Sequence, residues 1–156
     1  MRILALSTWW PEPADNGSRL RIAHLLRALA TRHEVHLLAL TQEPITSSQI
    51  DAVRSYCASV ESRPERHWTP RRGEQIASLW HATPSSLRAT WDPEFAAMVQ
   101  RQVAVLKPDL VIAFAVRAAV YAPLAGAIPC IFEEGENGNY HTDVANAATP
   151  RRKLRS

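Results

Sequence analysis

Four short apolar runs punctuate this chain, at residues 3–8, 34–41, 109–115 and 128–132. Each is too short for a helix, and each reads as a strand buried within a sheet. Between them the hydrophobic period changes to 3.6. From Ser18 to about Arg32, Leu20, Ala23, Leu25, Leu26, Leu29 and Ala30 form one stripe while Arg19, Arg21, Arg27 and Arg32 project elsewhere. A second helix is expected over 47–58, capped at Ser47 or Ser48, with Ile50, Val53 and Tyr56 apolar, and a brief strand over 59–62. Asp92 caps a third helix with Pro93 at its first position and Phe95, Met98, Val99, Val103 and Leu106 along one face. Residues 117–125 read as a small-residue helix before a turn at 126–129. Strand, helix and parallel strand in succession make right-handed βαβ units. Their repetition predicts an α/β fold with a doubly wound parallel sheet, Rossmann-like, over 1–150. Residues 63–91, rich in Pro, Arg, Trp and Thr, are expected to form a surface excursion with one weak helix near 74–81.

Composition removes several classes. Hydrophobic residues make up 46% and charged residues 21%, which excludes a disordered chain. No apolar run approaches the roughly 20 residues of a membrane helix, and Trp9-Trp10-Pro11 arrives too early for a signal-peptide core, so a cytoplasmic protein is expected. Cys57 and Cys130 form no C-x-x-C and are expected as two small buried or half-buried thiols. The net charge of +3 is terminal, because Arg151, Arg152, Lys153 and Arg155 supply more than all of it. That basic end, 151–156, can touch anionic lipid at the inner face of a membrane as a peripheral contact. No aromatic-plus-basic face accompanies it, so no nucleic-acid partner is expected.

Ligands of an open α/β sheet bind beyond the carboxyl ends of its strands, which directs attention to the loops after 8, 114 and 133. The first holds Pro11, Pro13, Asp15, Asn16 and Gly17, and delivers Asn16-Gly17-Ser18-Arg19 to the start of a helix. Free amides and the helix dipole favour an anion there, and Gly17 allows close approach to the backbone. Gly17 serves equally as a turn residue and Asn16 or Ser18 as an N-cap. The pattern is neither G-x-G-x-x-G nor a P-loop, so no dinucleotide or ATP cofactor is indicated. Trp9 and Trp10 offer a stacking wall for a sugar-like acceptor, or pack the loop onto the body. Glu133 and Glu134, with Gly135 and Glu136, follow the last run, where a carboxylate can orient a hydroxyl, act as a base, or form a solvated turn. His33-Glu34-Val35-His36 superficially resembles a metalloprotease helix. Its histidines are three apart entering a strand, where they face opposite sides, so no metal site is expected. His24 reads as a flanking helix residue.

Met1-Arg2-Ile3-Leu4-Ala5-Leu6-Ser7, the loop ending Asp15-Asn16-Gly17-Ser18-Arg19-Leu20-Arg21, Leu25-Leu26-Arg27-Ala28-Leu29-Ala30 and His33-Glu34-Val35-His36-Leu37-Leu38 together resemble the start of GT-B-fold retaining glycosyltransferases. Lys107-Pro108-Asp109-Leu110-Val111-Ile112 and Ala127-Ile128-Pro129-Cys130-Ile131-Phe132-Glu133 are similar to that family's fourth and fifth strands. The resemblance spans about 1–40 and 103–155. It implies the N-terminal, acceptor-side half of a GT-B architecture, incomplete over 1–150. The nucleotide-sugar donor would be held by a second domain, and a sugar or lipid-linked acceptor by this one. It also implies that the Gly17 loop approaches the donor diphosphate. Many relatives carry two glycines in that loop where this chain has Gly17-Ser18, and a catalytic histidine where it has Glu133. The family's glutamate pair eight positions apart does not occur here. The expected site is thus Glu133 as the catalytic position, with Asn16, Gly17, Ser18, Arg19, Trp10 and Glu134 around acceptor or phosphate. A non-catalytic Rossmann-like binding or assembly module is the alternative. A receiver or flavodoxin-like domain lacks its motifs at Ser7-Thr8-Trp9-Trp10. An uncovered sheet edge would favour homo-oligomers.

Overall fold

The computed structural model describes residues 1–65 and 91–134. Five strands, β1 (Arg2–Ser7), β2 (Glu34–Thr41), β3 (Ser59–Pro64), β4 (Leu110–Phe114) and β5 (Cys130–Glu133), form one sheet in the order β3-β2-β1-β4-β5. Every pairing is parallel. The chain winds outward from β1 to β3, then returns to β4 on the other side of β1. The doubly wound expectation is met.

Helices cover both faces because alternate strand residues are apolar on both sides. On one face Ile3, Ala5, Val35, Leu37, Ile112 and Phe114 pack under α1 (Gly17–Ala30) and α2 (Ser47–Arg54). On the other, Leu4, Leu6, Leu38, Leu40, Val111 and Ala113 meet α3 (Pro93–Leu106) and the segment holding Ala118, Tyr121 and Ala125. None of the helices among the described residues is long and apolar enough to cross a membrane.

Several local expectations are corrected. The buried stripe of α1 is Ile22, Ala23 and Leu26, whereas Leu20 and Leu25 are exposed. The cap of α2 is Thr46, one residue before the serines. Its hydroxyl accepts from the Gln49 amide while the Gln49 side chain returns to the Thr46 amide, a capping box. The expected helix over 117–125 is two pieces, α4 (Val116–Ala119) and a 3₁₀ turn (Ala122–Ala125), since Pro123 has no amide to continue an α-helical ladder. Gly126, at φ 66°, turns the chain into β5. β5 itself is not buried: Ile131 and Phe132 are each 50% exposed. Cys130 is also exposed, against the expectation of a covered thiol, while Cys57 is buried and its thiol is pushed up to about 12 by that burial. The weak helix expected at 74–81 lies outside the described residues.

The N-terminus of α3 is a dense polar knot. Asp92, 4% exposed, accepts from the Glu94 and Phe95 amides at 2.8 and 3.1 Å and from Arg63 at 3.1 Å. Its own amide donates to the Tyr121 hydroxyl at 2.8 Å. Trp91 stacks on the Tyr121 ring and Phe95 meets it edge-on, both at 4.9 Å between centroids. Burial works to raise the Asp92 pKa, but the two amides and the Arg63 guanidinium outweigh it and hold the carboxyl below its ordinary value.

Candidate functional site

β1 ends in a tight turn. The Ser7 hydroxyl donates to the Trp9 carbonyl at 2.7 Å and accepts from the Trp9 amide at 3.0 Å, fixing where Trp9 leaves the sheet. The loop is then pinned from beneath by Glu12. Its carboxylate receives Arg27 of α1 at 2.5 Å and the Tyr56 hydroxyl at 3.3 Å, with the Arg27 guanidinium 5.1 Å from the Tyr56 ring centroid. Burial, and then the Glu12 charge, push the Tyr56 phenol above its ordinary value, so it remains a donor to Glu12. Asn16 then caps α1, accepting from the Arg19 amide at 2.9 Å. Of the two cap alternatives, Asn16 is the residue used.

The strand order reverses between β1 and β4, and a crevice lies beyond their carboxyl ends. Trp9, Gly17, Ser18, Arg21, Ile22, Phe114, Ala115 and Glu133 line one depression at this point. Phe114 is paired in register with Glu133, which sets that carboxylate opposite the start of α1. Glu133 forms an ion pair with Arg21, one helical turn beyond Gly17, so the pair bridges α1 and β5. Gly17 is in helical rather than positive-φ conformation, and a Cβ placed there meets nothing within 4 Å. Among the described residues, neither backbone geometry nor packing requires a glycine at that position.

Ala115 forms the floor between Phe114 and α4 in a conformation L-residues avoid, φ 68° and ψ 157°. It is held there from both sides. Its amide donates to the Glu133 carbonyl at 2.8 Å, and its carbonyl accepts from Ala118 and Ala119. Strain of this kind is worth about 1–3 kcal/mol and gathers where a site needs an unusual backbone path. Ala115→Gly therefore raises stability by about 1 kcal/mol after glycine's extra unfolded-state entropy, a gain of roughly 2–4 °C in Tm for a domain of this size. A thermal melt checks this; a fall in Tm would mean that the methyl group packs rather than strains.

The residues expected to share one site divide between two depressions. Gly17 and Ser18 lie with Glu133 in the crevice. Trp10 and Arg19 instead line a neighbouring depression between the loop after β1 and residues 41–45 after β2, together with Thr8, Glu12, Gln42 and Gln49. Trp9 borders both. Trp10 is 5% exposed and belongs to the core under α1, so it packs the loop to the body and offers no open stacking face. Arg19 pairs with Asp15 at 3.1 Å, its guanidinium 5.8 Å from the Trp9 ring centroid. Glu134 is half-buried and is not among the crevice-lining residues, and Gly135 and Glu136 lie outside the described residues. His24 is exposed on α1. His36 is buried on β2, its Nδ1 2.8 Å from the Ser59 hydroxyl. Sequence reasoning passed over Arg21, Glu12 and Ala115. Arg21 lies four residues after Gly17 and thus on the same helix face, which was a usable signal.

This arrangement defines an α/β protein of the Rossmann-like class with its crevice at the topological switch point. No family model matches the chain, and no curated protein matches it. Among solved structures it is similar to the C-terminal domain of a hydrogenase from Pyrococcus furiosus, at 13% identity and a TM-score of 0.52 over 85% of this chain and 89% of that one. It is also similar to a deacetylase from the biosynthesis pathway of teicoplanin, at 15% identity and a TM-score of 0.53 over 87% and 68%. At these identities the likeness is one of fold.

Proposed function

We propose that this chain is the acceptor-side domain of a retaining glycosyltransferase that draws its sugar from a nucleoside-diphosphate donor held by a second domain. The sequence resemblance supplies the family. The observation that carries the site is the convergence of Gly17, Ser18, Arg21 and Glu133 on one crevice at the carboxyl edge of a parallel sheet. An N-terminal helix turn without a side chain at Gly17 gives a phosphate room to approach amides and the helix dipole. Glu133, on the opposite wall, has the chemistry to accept a hydrogen bond from a sugar hydroxyl or to steady positive charge developing at an anomeric carbon. Arg21, paired with it, orients that carboxylate. Asn16 plays a supporting part by capping the helix.

The test is Glu133→Gln, which keeps shape and removes charge. In the transferring enzyme it lowers turnover at least tenfold. Tm changes by less than about 3 °C, because a partly exposed ion pair is worth about 0–1 kcal/mol. The Arg21–Glu133 pair also suits a second reading, a non-catalytic module in which it only ties α1 to β5. On that reading the substitution leaves every transfer rate unchanged.

A further inference from the structure

The sheet ends differently at its two edges. At one, β3 carries Glu61 and Arg63, which are tied by ion pairs to α3 and its cap, and it closes on Pro64. Charges and a proline on an edge strand hinder another strand from pairing there. β5, at the other edge, carries no charge before Glu133, and Cys130, Ile131 and Phe132 are all exposed. Its backbone is equally open. Val111 donates to the Pro129 carbonyl at 2.9 Å and Ala115 to the Glu133 carbonyl at 2.8 Å, so the odd-numbered residues turn their polar groups toward β4. By strand alternation the amides and carbonyls of Cys130 and Phe132 point away from the sheet, with no partner strand among the described residues. We infer that β5 pairs with β5 of a second copy of this chain, antiparallel and centred on Ile131, joining the two sheets into one.

The strand is complementary to itself in three respects. A twofold axis through Ile131, perpendicular to the sheet, brings Cys130 opposite the partner's Phe132. These are the two residues whose groups point outward, and opposite residues of an antiparallel pair exchange both N–H···O bonds at such positions, so every outward group of the two strands is satisfied. The same axis keeps like faces together. Ile131, in register with Ile112, lies on the α1 face and meets the partner's Ile131, while Cys130 and Phe132, in register with Val111 and Ala113, meet the partner's Phe132 and the partner's Cys130 on the other face. A helix laid over one face would leave the apolar side chain on the opposite face in water; a second β5 covers both. Leu25, also exposed, follows Arg21 by one turn on the side of α1 that faces β5 and extends the apolar surface there. The charges agree as well. Glu133 comes opposite the partner's Pro129 and is already matched by Arg21, so no like charges face each other across the pairing. The inference holds whether or not the domain takes part in sugar transfer.

The test sediments the purified 156-residue chain over a dilution series reaching about 0.5 mM, since four strand residues per copy make a small, reversible interface. The expected result is a monomer–dimer equilibrium without larger species, because a twofold contact closes on itself. Phe132→Glu and Ile131→Glu, one on each face, each raise the dimer Kd by at least about tenfold. Both positions are half exposed, and a Tm within about 3 °C of the native chain's shows that each variant is folded. Val105→Glu, at an apolar residue of α3 that is 70% exposed, leaves the Kd unchanged and so separates pairing at β5 from general stickiness. Cys130 reports the register. Cys57 is buried, and Cys130 lies diagonal to the partner's Cys130 at about 7–8 Å between Cα atoms, within reach of a short bis-maleimide. That reagent gives a covalent dimer of the native chain and much less of Phe132→Glu. The inference is overturned by a monomer throughout the series, by larger assemblies, by either β5 variant dimerising as tightly as the native chain, or by a dimer that the reagent does not couple through Cys130.

Discussion

Asp92→Ala lowers the thermal midpoint by roughly 4–16 °C, the largest stability loss expected from one polar substitution here. The N-cap contribution is about 1 kcal/mol, and leaving buried partners unsatisfied adds about 1–3 kcal/mol. For a domain of this size each kcal/mol shifts Tm by roughly 2–4 °C. The partners left behind are the Glu94 and Phe95 amides and Arg63, which keeps its ion pair with Glu94. pH adds a second signature. Because the folded carboxyl titrates below its unfolded value of about 3.9, the folded state binds fewer protons in that window. Its contribution is therefore complete above about pH 4 and is lost as pH falls through the depressed folded pKa. Asp92→Asn keeps the cap acceptor and loses the charge, so its stability is flatter than the native chain's below pH 4. Parallel acid unfolding curves for the two would contradict this account of the knot.

Gly17→Val is expected to do the opposite: almost nothing to stability and a great deal to activity. The added Cβ meets no atom of the described residues within 4 Å, and the position is already helical, so Tm stays within about 3 °C. In a transferase carrying this domain, the branched side chain fills the space before the α1 amides. Displacing a reacting group by about 1 Å is enough for a loss of about 10²-fold, and turnover falls by at least that factor. Turnover and Tm measured on the same preparation decide the matter. A variant that loses both equally makes Gly17 a structural turn residue.

Strand positions were legible because buried parallel strands are continuous apolar runs, and the order of runs and helices fixed the winding. The α3 cap was legible for a similar reason, since Asp92-Pro93 before a periodic apolar face has few other uses. What failed depended on neighbours that sequence does not display. Leu20 and Leu25 fit the helical stripe as well as Ile22 does, but only the sheet decides which side of α1 is covered. The run at β5 matches a central strand in composition, yet among the described residues β5 pairs only with β4 and leaves Ile131 and Phe132 half exposed. Trp9 and Trp10 are adjacent and chemically identical. The Ser7 turn presents Trp9 to the two depressions, whereas Trp10 packs into the core. The strain at Ala115 is a backbone property with no composition signal at all. That Gly17 and Glu133 border one crevice was legible because the carboxyl-edge rule needs only the strand order.

The central claim, that this domain supplies one wall of a two-walled transfer site, is tested by nucleotide release. The purified 156-residue chain and the longest protein encoded in frame with it are each incubated with a panel of nucleoside-diphosphate sugars and saccharide or lipid-linked acceptors. The account predicts no release above background from the chain alone, because holding donor and acceptor together is worth roughly 7–11 kcal/mol of the barrier and one wall does not hold both. It predicts acceptor-dependent release from the longer protein, with the anomeric configuration of the donor retained in the product. Turnover by the chain alone, or none from a longer protein that binds a nucleotide sugar, would contradict it.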